Sequence, residues 1–308
     1  MIIPPPLRPG DTIAIIPTAR AITSGELQEG ITLAESWGLK VILGAGVGRK
    51  RFQQAGTAEE RAADLQAALD DEAVKAIWCA RGGYGTVHLL ELLDLSVLLK
   101  RPKWIIGFSD VTVLHSALHN LGACSLHAQM PFNITGKTSE SVDSLKAALF
   151  GTPQAISRSP SDQGDGMPTD RMGTCEGQLV GGNLSILYAL RGTPYDLDTT
   201  GKVLFIEDLD ELLYHVDRMV MNLKLGGLFE NCAGLVLGTM TDMHDKNPAD
   251  PFGLTAEAIF ARTVQDKGYP VCYNFPAGHI ADNRALALGQ NVKLSVTAEG
   301  ATLSFRKS

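Results

Sequence analysis

Short apolar runs alternate with amphipathic stretches along the first half of the chain. The runs indicate strands at residues 12–16, 40–43, 75–79 and 104–108. The stretches between them repeat apolar side chains at helical spacing, at residues 25–37, after a capping box formed by Thr57 and Glu60, and at residues 87–93. Strands that alternate with helices form βαβ units around a parallel sheet. The pattern therefore predicts an α/β domain with a doubly wound parallel sheet over residues 1–150.

The pattern changes after residue 150. Residues 151–174 are rich in Ser, Pro, Gly and Asp and lack a sustained apolar period, which predicts a linker. Beyond it, strands outnumber helices, so a smaller mixed α/β domain is expected over residues 175–308. Its candidate strands are residues 177–180, 203–206, 235–237 and 292–296. One helical stripe in this domain indicates either core packing or the contact of a homodimer. The stripe consists of Leu212, Val216, Met219, Val220 and Leu223.

Ser109 follows the apolar run 104–108 and precedes an amphipathic stretch that begins at Asp110. A serine on such a strand-to-helix turn is often an N-cap. It can also be a nucleophile that stands clear of both elements, with the next backbone N–H placed to stabilise an oxyanion. The sequence Gly-Phe-Ser-Asp-Val has only the first glycine of a nucleophile elbow, so this motif alone leaves both interpretations open.

A serine nucleophile needs a general base and an acid that orients the base. Glu207 stands at the tip of the predicted buried strand 203–206, where its carboxylate can face a cleft. His279 follows Pro276 and Gly278 in a loop that these residues make rigid. Alone, a strand-end glutamate such as Glu207 is usually an ion-pair partner, and a lone loop histidine such as His279 is usually solvated. Together with Ser109 they supply the chain order Ser, Glu, His.

The chain resembles the LD-carboxypeptidases, serine peptidases of bacterial cell-wall recycling that also include the microcin C self-immunity peptidases. The resemblance runs nearly the whole chain and rests on six ordered motifs. These are Pro9-Gly10-Asp11, Ala80-Arg81-Gly82-Gly83-Tyr84-Gly85, Gly107-Phe108-Ser109-Asp110, Gly181-Gly182-Asn183-Leu184, Ile206-Glu207-Asp208 and Ala277-Gly278-His279. The resemblance implies that Ser109, Glu207 and His279 form a catalytic triad at the junction of the two domains. It also implies a flavodoxin-like or amidotransferase-like N-terminal domain.

The resemblance implies release of the terminal D-alanine from murein tetrapeptides by cutting an L,D bond. Two alternatives remain open: a related peptidase that acts on a peptidyl-nucleotide antibiotic, and a non-catalytic binding protein that has kept the cleft. A nucleobase is gripped best by aromatic side chains. Residues 151–174 contain none, which favours the murein peptide.

Four further residues are candidates for substrate contact. The backbone N–H groups of Gly83 and Asp110 are predicted to hold the oxyanion. Arg81 lies just beyond the strand 75–79, so its guanidinium is predicted to bind the free carboxylate of the substrate bidentately, with a surface ion pair as the alternative. Asn183, in the fourth motif, is assigned to substrate binding.

Composition and charge limit the kinds of molecule that the protein is expected to bind. The chain has 27 basic and 34 acidic residues and no Lys/Arg-rich run, so a small peptide is expected as substrate and nucleic acid is not. The start of the chain lacks the pattern of a signal peptide, and no apolar run nears the ~20 residues that span a bilayer. We therefore expect a cytoplasmic protein that does not bind membranes.

No metal or cofactor is expected. His115 and His119 stand four residues apart on a predicted helix, but no third ligand has a telling spacing. Asp242, His244 and Asp245 are more typical of a solvated loop than of a cation site. The 5 cysteines are scattered and never in a C-x-x-C spacing, which indicates small core residues rather than disulfides or a zinc site.

Overall fold

The structure is a computed structural model that describes residues 1–164 and 166–306. The chain divides into two compact units. Unit 1 consists of Met1–Gln154 and Ala281–Gly289, and unit 2 consists of Ala155–Ile280 and residues 290–306. Asp165, in the predicted linker, and residues 307–308, at the end of the predicted second domain, lie outside the described residues.

Strands and helices alternate along most of the chain. The strands are β1 (Thr12–Ile16), β2 (Lys40–Leu43), β3 (Val74–Cys79), β4 (Trp104–Gly107), β5 (Ser125–His127), β6 (Ile156–Arg158), β7 (Gly173–Asn183), β8 (Val203–Leu209), β9 (Gly234–Thr241), β10 (Val271–Cys272), β11 (Leu286–Leu288), β12 (Asn291–Thr297) and β13 (Gly300–Phe305). The α-helices are α1 (Ser24–Ser36), α2 (Ala58–Asp70), α3 (Val97–Lys100), α4 (Thr112–Leu121), α5 (Ser139–Leu149), α6 (Leu184–Ala189), α7 (Leu213–Leu225) and α8 (Ala256–Thr263). Short 3₁₀ turns cover Thr86–Leu92, Ser109–Val111, Ile134–Gly136 and Pro160–Gln163.

Unit 1 is built on a parallel sheet with the strand order β11-β5-β4-β3-β1-β2. Strands β1 to β5 run parallel, in the order of a doubly wound flavodoxin-like sheet. The predicted fold class is therefore confirmed. The capping box at Thr57 and Glu60 begins α2 as expected. The stretch 87–93 was predicted to be an α-helix. It is instead the 3₁₀ helix Thr86–Leu92, whose N-terminus has no side-chain cap.

The edge strand β11 comes from a segment far along the chain. Leu286–Leu288 pairs antiparallel with β5, so residues 281–289 return to unit 1 before the chain completes unit 2. The expected boundaries, 1–150 and 175–308, did not include this return. A strand of 3 residues carries too little alternation to be recognised from sequence.

Unit 2 contains a mixed sheet in the order β10-β9-β8-β7-β12-β13-β6. Strands β7 to β10 are parallel, and β12, β13 and β6 join by antiparallel pairing. The strand β6 lies inside the stretch expected to be a linker and pairs with β13. Its neighbours are turn formers, so the sequence pattern there predicts only loop.

The helical stripe of unit 2 packs into the core. Val216, Met219, Val220 and Leu223 on α7 have no exposed surface and belong to the main apolar cluster of this unit. Leu212 occupies the N-cap position of α7, makes no side-chain cap there, and is half-buried. The core interpretation of the stripe is confirmed, and a homodimer stays a prediction. Within the ranges described, none of the helices is both long enough and apolar enough to cross a membrane.

Candidate active site

Ser109 occupies a sharp turn between β4 and α4. Phe108 is extended, and Ser109 has φ +62°, a left-handed conformation that costs free energy for any residue with a Cβ. The N-cap interpretation does not hold, because Phe108 and Val111 occupy the cap positions and neither turn has a side-chain cap. Strain of this kind clusters at functional sites.

The glycine pair after β3 lies against this serine. A Cβ placed on Gly82 would lie 3.0 Å from the Ser109 Cβ and 3.1 Å from its Oγ, so a larger residue would crowd the hydroxyl. The backbone of Gly82 therefore approaches Ser109 closely within unit 1. From the sequence, a role was predicted for Gly83 and none for Gly82. The Gly-Gly pair at the end of a strand was the signal for such an approach.

The Asp110 side chain ties two loops of unit 1 together. This carboxylate is 1% exposed, and its Oδ2 accepts hydrogen bonds from the Thr86 backbone N–H at 2.8 Å and from the Thr86 hydroxyl at 2.6 Å. Thr86 follows Gly85, the last residue of the glycine-rich motif. The predicted role of Asp110 concerned its backbone N–H, which lies in the first turn before α4, and it stays a prediction.

Arg81 is held from several sides. Its guanidinium carbon lies 4.1 Å from the centre of the Phe132 ring, and Nη1 lies 3.9 Å from Glu26 Oε1. Burial, and secondly the charge of Arg20, lower the pKa of Arg81. The ion-pair alternative is thus present as a long contact, which leaves carboxylate binding as a prediction.

Glu207 and His279 meet within unit 2. Glu207 is fully buried on β8, and its Oε2 accepts a hydrogen bond from His279 Nδ1 at 2.7 Å. An Nδ1–H donor fixes the tautomer in which Nε2 is unprotonated and basic. A carboxylate that orients an imidazole in this way supplies two of the three groups of a catalytic triad.

The backbone around this pair is shaped by a β-bulge and a glycine. Ile206 pairs with Leu237 but Asp208 pairs with Met240, so two residues of β9 stand opposite Glu207. The His279 loop crosses at this point, where the Thr239 N–H donates to Ala277 O at 3.1 Å. Gly278 has φ +131°, and a Cβ there would lie 2.6 Å from Thr239 Oγ1 and 3.0 Å from Glu207 Oε2. Only glycine fits this position without displacement.

Asn183 lies behind the pair rather than on an open surface. It is 4% exposed, and its Nδ2 donates to Asp208 Oδ1 at 2.7 Å and to Glu207 Oε1 at 3.4 Å. Its Oδ1 accepts from the Ile186 N–H and so caps α6. These contacts describe a residue that positions the two acids, whereas substrate binding by Asn183 stays a prediction.

Asp208 is a buried acid that was not among the predicted site residues. Its Oδ2 accepts from the Ser185 N–H at 2.9 Å, and its Oδ1 accepts from its neighbour Leu209 at 2.8 Å. Burial first, and then the charge of Glu207, raise the pKa of Asp208 to about 7. Two adjacent acids on an otherwise apolar strand were the sequence signal.

Two histidines considered as metal ligands, His115 and His244, have structural or exposed positions. His115 is 1% exposed and bonds to Ser125 Oγ at 2.8 Å and Gly107 O at 2.9 Å, and burial lowers its pKa to about 3. His244 is half exposed and bonds to the Asp242 carbonyl. Over residues 1–164 and 166–306, no group of three or more His, Cys, Asp or Glu side chains is arranged to hold a metal ion.

Comparison with known proteins identifies relatives along the whole chain. The LD-carboxypeptidase N-terminal domain matches residues 13–128, and the LD-carboxypeptidase C-terminal domain matches residues 176–294. The probable murein peptide carboxypeptidase of Bacillus subtilis is 34% identical over 97% of this chain and 93% of its own. The murein tetrapeptide carboxypeptidase of Pseudomonas aeruginosa is 31% identical over 92% of each chain.

Solved structures share the fold. The muramoyltetrapeptide carboxypeptidase from Oxalobacter formigenes superposes with a TM-score of 0.85 at 28% identity, over 96% of this chain and 99% of that one. The microcin C7 self-immunity protein MccF, in complex with aspartyl sulfamoyl adenosine, gives a TM-score of 0.87 at 21% identity, over 100% and 99% of the two chains. The predicted resemblance is confirmed, and the chain belongs to the LD-carboxypeptidase family of peptidases.

Proposed function

We propose that this protein is a serine-type LD-carboxypeptidase that releases the terminal D-alanine of murein tetrapeptides. The observation that carries the proposal is the partly buried hydrogen bond between Glu207 and His279, 2.7 Å long, in a chain whose strained Ser109 stands at a strand-to-helix turn. The names of the relatives from Bacillus subtilis and Pseudomonas aeruginosa supply the substrate class.

In the proposed mechanism Ser109, His279 and Glu207 act as a triad. His279 Nε2 removes the proton from Ser109 Oγ as the oxygen attacks the carbonyl carbon of the L,D bond. Glu207 holds the Nδ1–H and stabilises the imidazolium that forms. The imidazolium then gives its proton to the amine of the leaving D-alanine. Water, deprotonated by His279, hydrolyses the acyl-enzyme and restores the serine.

Backbone donors and one cation complete the proposed site. The N–H groups of Gly83 and Asp110 would stabilise the tetrahedral oxyanion, a type of contact worth about 3 kcal/mol in other enzymes. Arg81 would bind the free carboxylate that marks the end of the peptide. Its partial burial and its weak pairing with Glu26 leave the guanidinium able to take a second anion.

The test is release of D-alanine from a purified murein tetrapeptide. We expect turnover by the wild type, labelling of Ser109 by a fluorophosphonate probe, and loss of both in Ser109→Ala. Turnover of an aminoacyl sulfamoyl nucleotide but not of the tetrapeptide would contradict the substrate assignment. Lack of labelling together with lack of any hydrolysis would favour a non-catalytic binding protein.

A further inference from the structure

A cavity of about 480 Å³ opens beside Arg81 in unit 1. Its walls come from the loop after β1, the start of α1, the loop after β2 and the residue Arg81. This volume is in the range of small-ligand sites, about 300–1,000 Å³. Five of the lining residues, called the basic pocket, are Arg20, Arg49, Lys50, Phe52 and Arg81.

The basic pocket concentrates positive charge in a chain of net charge −7. Four of its residues are cations, and Glu26 is the acid in the lining. The Glu26 carboxylate already accepts the Thr23 N–H and hydroxyl, each at 2.8 Å, and these hydrogen bonds lower its pKa. In the described part of the chain, Arg20 and Lys50 make no ion pair. An excess of cations over acids around a concave surface focuses a potential that attracts anions.

Phe52 adds an apolar surface at the rim of this pocket. Its side chain is 88% exposed, and its φ of +54° is unfavourable for a bulky residue. Folding gains nothing from an exposed ring on a strained backbone. Such an arrangement is typical of a residue held in place to contact a ligand.

The basic pocket adjoins the predicted nucleophile within unit 1. Arg81 lines the pocket, and the next residue, Gly82, lies against Ser109. The Arg20 side chain covers the following glycine, since a Cβ on Gly83 would clash with Arg20 Cγ and Cδ. A ligand in the pocket would therefore contact side chains that adjoin Gly82 and Gly83, the glycine pair beside Ser109.

We propose that the basic pocket binds a second carboxylate of an acidic peptide substrate, distinct from the terminal carboxylate that is assigned to Arg81. Arg20, Arg49 and Lys50 would supply the charge, and Phe52 would pack against the aliphatic part of the peptide. The identity of the ligand rests on the proposed function. A phosphate fits less well, because Thr23 already caps the Glu26 N–H in the first turn of α1 and this turn carries the Glu26 charge.

The test measures binding without turnover. Calorimetry with Ser109→Ala protein would compare a murein tetrapeptide that has free internal carboxylates with the same peptide amidated at those groups. Adding Arg49→Ala/Lys50→Ala should raise Kd for the acidic peptide roughly tenfold, at the upper range for two exposed charge contacts, and change Kd for the amide little. Lys40→Ala/Lys146→Ala, which removes two exposed cations outside the pocket, is the matched control and should leave both Kd values unchanged.

Phe52→Gly provides a second variant, in which peptide binding and stability should change in opposite directions. It removes both the ring and the strain, so we expect weaker peptide binding together with greater resistance to urea. A variant that merely damaged the fold would lose both. Citrate, a small trianion that needs no peptidase chemistry, should compete with the peptide in wild-type protein and lose affinity in Arg49→Ala/Lys50→Ala.

Several outcomes would overturn the assignment. One is that the ratio of Kd values for the acidic and the amidated peptide is the same in Ser109→Ala protein with and without Arg49→Ala/Lys50→Ala. Another is adenosine monophosphate binding that depends on Arg49 and Lys50 while peptide binding does not. Failure of the proposed function looks different, because citrate and peptide binding would still depend on the pocket although the wild type released no D-alanine. If the wild type releases D-alanine and Arg49→Ala/Lys50→Ala changes neither this hydrolysis nor peptide binding, the proposed function stands and the role of the pocket is contradicted.

Discussion

At the scale of single residues, the proposed nucleophile and the residues next to Glu207 and His279 stand where ordinary folding preferences are violated. Ser109 has a left-handed backbone, Gly278 fills a space that no Cβ can enter, and Asp208 is an acid buried beside another acid. Each feature lowers the stability of its unit or restricts its sequence. Such conflicts between local preference and fold are expected mainly at functional sites.

The strain at Ser109 predicts opposite effects on stability and activity. Ser109→Gly should raise the free energy of unfolding by about 1 kcal/mol, because glycine adopts a φ of +62° without penalty, and it should abolish turnover. Ser109→Ala should abolish turnover with little change in stability. Urea unfolding and D-alanine release measure the two quantities.

The control for this comparison is Asn133→Gly, at another left-handed position, φ +57°. It should stabilise unit 1 less, because asparagine tolerates this conformation, and it should preserve activity. Normal turnover by Ser109→Gly would exclude Ser109 as the nucleophile.

The raised pKa of Asp208 predicts a pH-dependent stability. Its folded-state pKa of about 7 exceeds the usual aspartate value of 3.8, so the folded protein retains a proton that the unfolded chain loses. The stability gained from the protonated acid is present in full below about pH 4 and is lost as the pH rises to about 7. The free energy of unfolding of wild type minus that of Asp208→Asn should therefore fall across this window and then level off. A constant difference would mean that Asp208 titrates normally.

At the scale of elements, the sequence pattern predicts those strands and helices that are long enough to show a periodic apolar pattern. Strands β1, β2 and β3 and the helix after Thr57 appear close to the predicted boundaries. The short strands β6 and β11 were missed, because 3 residues cannot establish a period of two. Their pairing is decided by partners far away in sequence, which a local pattern does not contain.

The stretch expected to be a linker also anchors the loop that leads to His279. The Asp170 carboxylate forms an ion pair with the buried Arg158 on β6, and its Oδ1 accepts the Tyr273 N–H at 3.0 Å. The Asn274 amide donates to the Asp162 and Gln163 carbonyls at 3.0 and 3.1 Å. Unit 2 thus uses a polar segment to fix the start of this loop.

This anchoring predicts that the stability of the protein depends strongly on the ion pair between Arg158 and Asp170. Asp170→Ala should destabilise the protein by about 3 kcal/mol or more, because Arg158, with a side chain 1% exposed, is left as an unpaired buried charge. The double variant Arg158→Met/Asp170→Ala should be less destabilised than Asp170→Ala. Denaturant unfolding of the two proteins decides the matter, and equal losses would show that the charge of Arg158 is not the cause.

Gly278 predicts a loss of activity from one added methyl group. A Cβ in Gly278→Ala would push against Thr239 Oγ1 and Glu207 Oε2, so the hydrogen bond between His279 and Glu207 should break and kcat should fall at least tenfold. Gly253→Ala is the matched control, with φ +85° and no atom within 4 Å of the added Cβ. It should lose about 1 kcal/mol of stability from strain and keep its activity. Equal activity of the two variants would contradict the proposed role of the loop.

At the scale of the whole molecule, chain order and the resemblance carried the functional prediction. The family was identified from six motifs spread along the chain and is confirmed. The sequence also indicated two architectures, one parallel and one mixed. It did not reveal that residues 281–289 return to unit 1, nor that Asn183 contacts both Glu207 and Asp208. Those facts depend on strand pairing and side-chain contacts between segments that are distant in sequence.

The proposed triad makes a final prediction for the complete enzyme. Activity should rise with pH as His279 loses its proton, because a protonated imidazole cannot accept the Ser109 proton. Glu207→Gln should reduce kcat on the order of 10⁴-fold, because an amide neither stabilises the imidazolium nor fixes the tautomer. Asp208→Asn should cost much less, since Asp208 acts only through Glu207 and Asn183. The pH profile of kcat in wild type and both variants, with and without EDTA, separates the possibilities. A smaller loss in Glu207→Gln than in Asp208→Asn would transfer the orienting role to Asp208, and sensitivity to EDTA would contradict the serine mechanism.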